Sequence, residues 1–290
     1  MSVDLLQNKI RKLKNPIAVD FSMLKEHIPQ MYFVEGGSFL SAYSCYVKAL
    51  LETLKSIVPA VRFNFAGLTI YGAEGANTLI NLLKLAKSMG YYVFLDIPDA
   101  LSRQSAEHMA KVLFEMQTSW QFDGLVLSSY IGSDGIVPYV EQLKESDKDI
   151  FVITRTSNRS APEMQDLLTG SRLAHAAMAD IIYRYAQPLT TRCGYSRIAL
   201  VTAASSADSL RMLRAKYKDL FMLLDGSDYP NSNAKNCSNA FDRLGHGAIA
   251  CVGQSVTAAW QNETEEDPLA TAFRAAERMK KNISRYINIL

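Results

Sequence analysis

The chain lacks a surplus of charge of either sign. Its 290 residues include 31 Lys and Arg against 29 Asp and Glu, which gives a formal net charge of +2. A protein that binds nucleic acid or an anionic membrane concentrates Lys and Arg on one face or in one segment, and no such block occurs here. The sequence therefore predicts neither nucleic acid nor a membrane as a partner. It favours a small molecule or another protein.

Cysteine is scarce and dispersed. The four cysteines, Cys45, Cys193, Cys237 and Cys251, are far apart and form no Cys-x-x-Cys pair. This spacing excludes a zinc ribbon, a dithiol redox motif and the dense disulfide framework of small secreted domains. We expect four reduced thiols.

Long apolar runs are also absent, since no stretch is long enough to cross a bilayer as a helix. Residues 1–10 have the pattern of an amphipathic helix. A signal peptide would instead begin with a charged region followed by an apolar core. We therefore expect a cytoplasmic protein.

The sequence does contain eight short apolar runs rich in β-branched and aromatic residues, separated by stretches with helical periodicity. The runs cover residues 17–21, 58–63, 91–95, 124–127, 150–154, 197–201, 220–224 and 247–252. Buried strands that alternate with helices indicate a parallel sheet covered by helices, and eight repeats predict an α/β fold of the (β/α)₈ TIM-barrel type. No Gly-x-Gly-x-x-Gly follows the first run, which disfavours an open dinucleotide-binding sheet.

We expect a single domain spanning residues 1–290. Two stretches lengthen the repeat: a segment after Pro29, and a long helical passage predicted from Ala161 to Tyr185. An additional C-terminal helix, beginning at Pro268, is predicted to pack across the bottom of the barrel or against a partner.

Polar residues follow almost every predicted strand. Functional side chains of such barrels come from the C-terminal strand ends and the loops after them. These positions hold Asp20, Ser22, Arg62, Asn64, Asp96, Asp99, Ser128, Ser129, Tyr130, Thr154, Thr156, Ser157, Asn158, Thr202, Asp225, Ser227, Gln254 and Ser255. Only Arg62 and Arg155 are evident cations, an unusual composition for a pocket that holds a phosphate monoester.

Several segments together match one known family. They are residues 6–11 (Leu-Gln-Asn-Lys-Ile-Arg), 14–16, 57–61, 130–135 (Tyr-Ile-Gly-Ser-Asp-Gly), 150–152, 156–158 (Thr-Ser-Asn), 163–166 and 245–249 (Gly-His-Gly-Ala-Ile). On these segments the chain resembles the subfamily 2, bacterial-type orotidine 5′-phosphate decarboxylases. The resemblance implies a (β/α)₈ barrel, a dimer, and a place among the lyases of pyrimidine biosynthesis.

The chain departs from the family at the catalytic positions. The family's Lys-Asp-Lys-Asp set falls here on Arg62, Asp96, Pro98 and Leu101. In the family the carboxylates stress the substrate carboxylate, and the second Lys protonates the carbanion. Pro98 has no ionisable group and Leu101 cannot accept a hydrogen bond, so the resemblance leaves Arg62 and Asp96 as remnants of the catalytic set.

The ligand contacts implied by the family also change. The segment Gly-Leu-Asp-Pro, whose Asp contacts the ribose, is residues 20–23 (Asp-Phe-Ser-Met) here, and the Gly-rich phosphate loop falls on residues 225–232. The phosphate-binding Arg of the family is Gln254, which cannot supply a charged fork. The candidate ligand-binding residues are Asp20, Ser22, Asn64, Thr156, Ser157, Asn158, Gly226 and Gln254.

These replacements predict a non-catalytic homologue, a pseudoenzyme that uses the barrel for ligand sensing or for assembly with a partner, and we expect no cofactor. The expected ligand is a nucleotide or a sugar-phosphate-like molecule. The expected partner is a second copy or an active paralogue, because in the family dimer a loop residue at the position of Leu101 reaches the neighbouring site.

Two enzymatic alternatives stay open. One is decarboxylation of orotidine 5′-monophosphate itself. The other is a magnesium-dependent sugar-phosphate lyase with a rebuilt site, because oxygen ligands of the carboxylate type suit Mg²⁺. The carboxylates available for such a site are Asp20, Asp96, Asp99, Asp225 and Asp228.

Overall fold

Eight parallel strands close a barrel in the part of the chain that the structure describes. The structure is a computed structural model and describes residues 2–115, 118–128, 130–230, 232–263 and 267–290. The barrel strands are β1 (Ile17–Asp20), β2 (Ala60–Asn64), β3 (Tyr92–Asp96), β4 (Gly124–Leu127), β5 (Asp149–Ile153), β6 (Ile198–Ala203), β7 (Met222–Asp225) and β8 (Ala248–Val252). Each strand pairs in parallel with the next, and β8 pairs with β1. The predicted single-domain TIM barrel is confirmed.

Helices alternate with these strands along the outside of the barrel. They are α1 (Ser2–Leu13), α2 (Phe39–Leu54), α3 (Phe65–Thr69), α4 (Gly72–Ser88), α5 (Arg103–Phe114), α6 (Val137–Leu143), α7 (Ala174–Ala186), α8 (Ala207–Lys216), α9 (Ala234–Ser238), α10 (Gln254–Thr257) and α11 (Pro268–Ser284). The segment after Pro29 forms a short 3-10 turn, Gln30–Tyr32, before α2 begins. Within the described residues no helix is long and apolar enough to cross a membrane.

The interior of the barrel is filled by aromatic side chains. Successive side chains of a strand point alternately inward and outward, so every second residue enters the barrel. The rings of Tyr92 and Phe94 lie with their centroids 4.9 Å apart, and the ring of Phe151 lies 4.9 Å from that of Phe94 in an edge-to-face arrangement. Phe221 continues the contact at 6.3 Å from Phe151. The lower barrel is therefore a packed core, and a ligand can enter only at the C-terminal end.

The N-terminal helix forms as predicted, whereas the C-terminal helix packs differently from one of its two predicted arrangements. Val3, Leu6 and Ile10 of α1 join the interior cluster and close the N-terminal end of the barrel. The C-terminal helix α11 is present, but it packs on the side of the barrel against α2, so its predicted place across the bottom is wrong. The buried face of α11 includes the small residues Ala272 and Ala276, which allow two helices to approach closely.

The helical passage predicted from Ala161 to Tyr185 is wrong over its first half. A 3-10 turn, Ala161–Glu163, is followed by a two-stranded hairpin, Leu168–Thr169 with Arg172–Leu173, and α7 begins only at Ala174. Gly170 has a φ of 66° in the hairpin turn. A residue in this left-handed region ends a helix, and glycine adopts it without strain. The insertion therefore projects from the barrel between β5 and β6.

Candidate functional site

Four charged side chains meet at the C-terminal end of the barrel. Asp20, Asp96 and Asp225 are the last residues of β1, β3 and β7, and Arg62 lies two residues before the end of β2. In each of these strands the residue two positions earlier belongs to the interior cluster. Because the side-chain period of a strand is two, the four charged side chains also face the interior. Asp20 is the register partner of Arg62 across β1 and β2.

The guanidinium of Arg62 lies at the centre of this group. Its Nε donates to both carboxylate oxygens of Asp96, at 2.8 and 2.9 Å, and its Nη2 lies 2.6 Å from Asp96 Oδ2. Its Nη1 donates to Asp225 Oδ1 at 2.8 Å and lies 3.8 Å from Asp20 Oδ2. Arg62 itself is only 7% exposed. One buried guanidinium thus contacts three carboxylates, a group we call the Arg62 cluster.

Burial and charge act in opposite directions within the Arg62 cluster. Burial raises the pKa of Asp96 to about 6, although Arg62 favours its charged form. Burial also favours the neutral acid at Asp225, but Arg62 and a hydrogen bond from Ser157 hold the pKa of that carboxyl below its usual value. Burial opposes the charge of Arg62, yet the carboxylates, foremost Asp96, hold its pKa well above its ordinary value. Arg62 therefore keeps its proton, and Asp96 is the member that titrates near neutral pH.

Ser157 and Gly226 position Asp225. The hydroxyl of Ser157, in the loop after β5, donates to Asp225 Oδ2 at 2.5 Å. Gly226 has a φ of 63°, and a Cβ at this residue would lie 2.6 Å from the Cβ of Ser157. Real side chains do not approach so closely. The loops after β5 and β7 can therefore meet only because residue 226 is glycine.

A cavity of about 420 Å³ opens beside the Arg62 cluster, and we call it the acidic cavity. Asp20, Asp225 and Asp228 line it, and the described lining residues include no Lys, Arg or His. Asp228 Oδ2 accepts backbone N–H groups of Gly253 and Ser255 at 2.8 and 3.1 Å. N–H groups that could hold an anionic ligand are thus occupied by a carboxylate of the protein itself. The charge of this cavity disfavours a phosphate.

The structure brings together some of the predicted ligand-binding residues and separates others. Ser157 reaches the Arg62 cluster through Asp225. Asn64 caps α3 by accepting a hydrogen bond from the N–H of Gly67 at 2.9 Å, and it lines a different cavity. Four predicted residues line the acidic cavity, namely Asp20, Ser22, Gly226 and Gln254.

Thr156 and Asn158 do not line the acidic cavity. The hydroxyl of Thr156 donates to Asn158 Oδ1 at 2.5 Å, and the N–H of Thr156 donates to Gln165 Oε1 at 2.8 Å. These bonds tie the loop after β5 to the inserted segment. Their effect is to order the loop that presents Ser157.

The positions to which the resemblance assigns the family's second Lys and second Asp lie at the rim of the barrel. Pro98 and Asp99 are exposed in the loop after β3, and Leu101 is 87% exposed. Ser129 and Asn231, which the sequence places in the loops after β4 and β7, lie outside the described residues. No group able to donate a proton is present at position 98.

Cys251 is a site residue that the sequence analysis did not single out. It lies in β8, is buried, and places its Sγ 3.8 Å from Nη1 of Arg62. Burial raises the pKa of its thiol well above the usual value. The thiol therefore stays neutral in the Arg62 cluster. Its position near the end of a predicted strand was the one feature of the sequence that could have identified it as a site residue.

The arrangement of carboxylates does not form a metal centre in the part of the chain that the structure describes. No group of three or more His, Cys, Asp or Glu there is arranged to hold a metal ion. Arg62 lies between Asp20, Asp96 and Asp225, in the position that a shared cation would take. Asp228 is bonded to backbone N–H groups instead. The carboxylates considered for magnesium therefore do not converge on a single position that is open to a metal ion.

Comparison with known proteins finds relatives that are named orotidine 5′-phosphate decarboxylases. No protein-family model matches the chain. The orotidine 5′-phosphate decarboxylase of Clostridium acetobutylicum is 25% identical over 288 residues, covering 98% of this chain and 99% of that protein. The one from Caldicellulosiruptor bescii is 22% identical over 301 residues, covering 98% of each. The relatives thus carry the family name that the sequence resemblance indicated.

Solved structures agree with the fold. The Leishmania donovani OMP decarboxylase has a TM-score of 0.75 at 22% identity, covering 98% of this chain and 100% of that one. The Plasmodium berghei orotidine 5′-monophosphate decarboxylase has a TM-score of 0.78 at 15% identity, covering 98% of each chain. At these identities the likeness establishes the barrel and leaves the activity open.

Proposed function

We propose that this protein is a non-catalytic homologue of the orotidine 5′-phosphate decarboxylases, which keeps the barrel for ligand sensing or for assembly with a partner. The observation that carries the proposal is the Arg62 cluster. Its single cation is bound by Asp96 and Asp225 and contacts Asp20, so no charged group of the cluster is left free to stabilise a substrate anion.

Proton transfer is the first step for which the chain has no residue. Loss of carbon dioxide leaves an electron pair on carbon, and a positioned acid must supply a proton to it. Pro98 occupies the position of that acid in the family and carries no ionisable group. Arg62 is close to the site, but the carboxylates around it, foremost Asp96, hold its pKa well above its ordinary value against the effect of burial. Neither residue supplies the proton.

Phosphate binding is the second step for which the acidic cavity has no suitable residues. A phosphate monoester carries nearly two negative charges and is bound by Lys, Arg or free backbone N–H groups. The acidic cavity presents Asp20, Asp225 and Asp228 without a cation among its described lining residues. A nucleotide or sugar phosphate stays our proposed class of ligand only if its phosphate lies outside this cavity.

Association is proposed as a homodimer or as a heterodimer with an active paralogue. The loop after β3 exposes Leu101 at 87%. In the family that the chain resembles, the loop residue at this position reaches the neighbouring site of the dimer, and this is the support for the proposal. Mixing this chain with an active homologue and measuring the molecular mass of the complex distinguishes the two assemblies.

The test of the proposal is a decarboxylation assay on orotidine 5′-monophosphate, run beside a thermal-shift titration with uridine monophosphate. We expect no turnover above background. A thermal shift without turnover supports a nucleotide sensor, because a ligand that binds the folded state raises its stability. If there is neither turnover nor a thermal shift, the result supports assembly with a partner. Clear turnover overturns the proposal.

One observation favours an active decarboxylase as the second candidate. The relatives that span almost the whole chain carry that name, and they include a protein that is 25% identical. The same assay decides between the two candidates. A magnesium-dependent sugar-phosphate lyase is the third, and calorimetric binding of Mg²⁺ tests it. We expect no binding, because Arg62 already lies between the carboxylates.

A further inference from the structure

A second cavity, of about 220 Å³, lies on the other side of the loop after β1 from the acidic cavity. It is formed by that loop, the start of α2, the end of β2 and helix α3, and we call it the apolar cavity. Ser22 lines both cavities. Neither the comparisons nor the Arg62 cluster gives the apolar cavity a role.

The floor of the apolar cavity is apolar and buried. Phe21, Met23 and Leu68 are each at most 6% exposed. Tyr43 is 2% exposed, and its hydroxyl donates to the carbonyl of Phe21 at 2.8 Å. Because this hydroxyl already has its partner, the tyrosine presents only its ring. Such a floor accepts a hydrocarbon group and offers little to a sugar.

One wall of the apolar cavity is a pair of aromatic rings. Phe39 and Tyr71 are stacked with their centroids 5.3 Å apart and their planes 25° from parallel. Tyr71 is 49% exposed, so much of its ring is still free to be covered. Aromatic side chains favour another ring in an offset or edge-to-face contact. The wall therefore suits a flat ligand.

The volume limits that ligand to one ring with a substituent. An apolar protein cavity of about 150 Å³ holds a benzene molecule. The apolar cavity, at about 220 Å³, exceeds that by roughly the volume of a small polar group. A purine nucleotide is too large for it.

Charge selects the substituent. Lys25 is the one charged residue among the described residues that line the apolar cavity, and its side chain is exposed, with Nζ 5.7 Å from the centre of the Phe33 ring. The acidic cavity, across Ser22, carries carboxylates instead. A small anion is therefore repelled from the acidic cavity and attracted to the apolar one.

We propose that the apolar cavity binds a single-ring aromatic carboxylate, with the ring against Phe39, Tyr43 and Leu68 and the carboxylate near Lys25. The inference rests on the proposed function for the role of this ligand, since a sensing barrel needs one. The binding itself does not depend on catalysis. Decarboxylation and benzoate binding are measured in separate experiments. The first tests the proposed function and the second tests the ligand site, so a failure of one is distinguishable from a failure of the other.

The experiment uses sodium benzoate as the probe and benzyl alcohol as its uncharged counterpart, in calorimetric or ligand-observed NMR titrations of the full chain. We expect benzoate to bind with a Kd about fivefold lower than that of benzyl alcohol, which is the ratio for one solvent-exposed charge contact. Absence of benzoate binding, or equal binding of the two compounds, overturns the proposal.

Two variants locate the binding. A Cβ on Gly67 would make only ordinary contacts, 3.5 Å or more, with Asn64. Gly67→Leu is therefore expected to fold and to occupy part of the cavity, which abolishes benzoate binding. Its control is Ala66→Leu, on the same helix but outside the lining.

Lys25→Gln tests the charge contact, and Lys48→Gln, at an exposed lysine outside the lining, is its control. We expect Lys25→Gln to weaken benzoate about fivefold and to leave benzyl alcohol unchanged. The assignment to this cavity is overturned if Gly67→Leu still binds benzoate. It is also overturned if the controls Ala66→Leu and Lys48→Gln lose as much benzoate binding as the variants they are matched to.

Discussion

Replacing Arg62 by methionine is expected to lower the free energy of unfolding by about 3–5 kcal/mol at neutral pH, the range for removal of one partner from a buried ion pair. Arg62 is only 7% exposed and contacts three carboxylates. Methionine retains the apolar stem of the arginine but removes the cation that Asp96 and Asp225 share, so each buried carboxyl must stay charged without it or take up a proton. For a chain of this size the loss corresponds to a fall in Tm of roughly 5–8 °C.

The pH dependence of Arg62→Met follows from the carboxylates. The pKa of Asp225 is held below its usual value, against burial, by Arg62, so its stabilising contribution is present at neutral pH and is lost as the pH falls through its folded pKa. For the wild type this loss occurs below about pH 4. In the variant, burial raises the pKa of Asp96 and Asp225 without opposition from Arg62, so both carboxyls take up protons, and the variant regains stability, at a higher pH than the wild type. The stability difference between wild type and Arg62→Met should therefore shrink between about pH 7 and about pH 5.

Urea unfolding followed by circular dichroism at several pH values measures this difference. Arg211→Met is the matched control, because Arg211 pairs with Asp208 on the surface, where the two side chains are 65% and 93% exposed. We expect it to change stability by no more than about 0.5 kcal/mol. A loss for Arg62→Met below about 1 kcal/mol, typical of surface pairs, or a difference that grows on acidification, would refute the buried-pair account.

Three further predictions address other parts of the chain. Burial raises the pKa of Asp149 to about 7, so its neutral form is favoured in the fold and its contribution to stability is lost as the pH rises through that value. The stability of Asp149→Asn relative to wild type should rise between about pH 4 and about pH 7 in urea unfolding and stay constant above that range, and a difference that falls over this range would contradict the prediction. Gly226→Ala should destabilise by about 2–4 kcal/mol, because a left-handed φ of 63° adds to a clash with Ser157, whereas Gly132→Ala, with a φ of 76° and open space around it, should cost only about 1–2 kcal/mol. Pro98→Lys should not produce decarboxylation of orotidine 5′-monophosphate, since the acidic cavity still lacks a cation for the phosphate, and turnover in this variant would contradict that reasoning.

The strands were predictable because the information is local. A buried strand of a parallel barrel needs only a short run of apolar residues. Each of the eight predicted runs overlaps one of the eight observed strands. The placement of Asp20, Arg62, Asp96 and Asp225 at one end of the barrel also followed from the sequence. Parallel strands bring their C-terminal ends to one edge, whatever the loops between them do.

The insertion and the terminal helices were not predictable in the same way. The passage that begins at Ala161 has a composition that a helix and a hairpin both accept, and the hairpin forms through pairing of Leu168 with Leu173. The amphipathic pattern of a helix predicts that one face is buried, but it does not identify the surface against which that face packs. This is why α1 closes the barrel and α11 packs on its side, the reverse of the expectation for the C-terminal helix.

The roles of individual loop residues likewise depended on neighbours distant in the chain. Asn64 caps a helix, and Thr156 bonds to Gln165, because their side chains find backbone and amide partners only after folding. From the sequence alone both were candidates for ligand contact. A polar side chain in a loop has several available partners, and the local sequence does not rank them.

The sequence by itself determined the barrel and the polar ring at its C-terminal end. These depend on residue type and on periodicity, which are properties of the linear chain. Only the tertiary structure decided that Arg62 is shared by three carboxylates, and that two cavities of opposite character lie on either side of Ser22. Distances between residues far apart in the chain set both features, because charge and exclusion of water act through space.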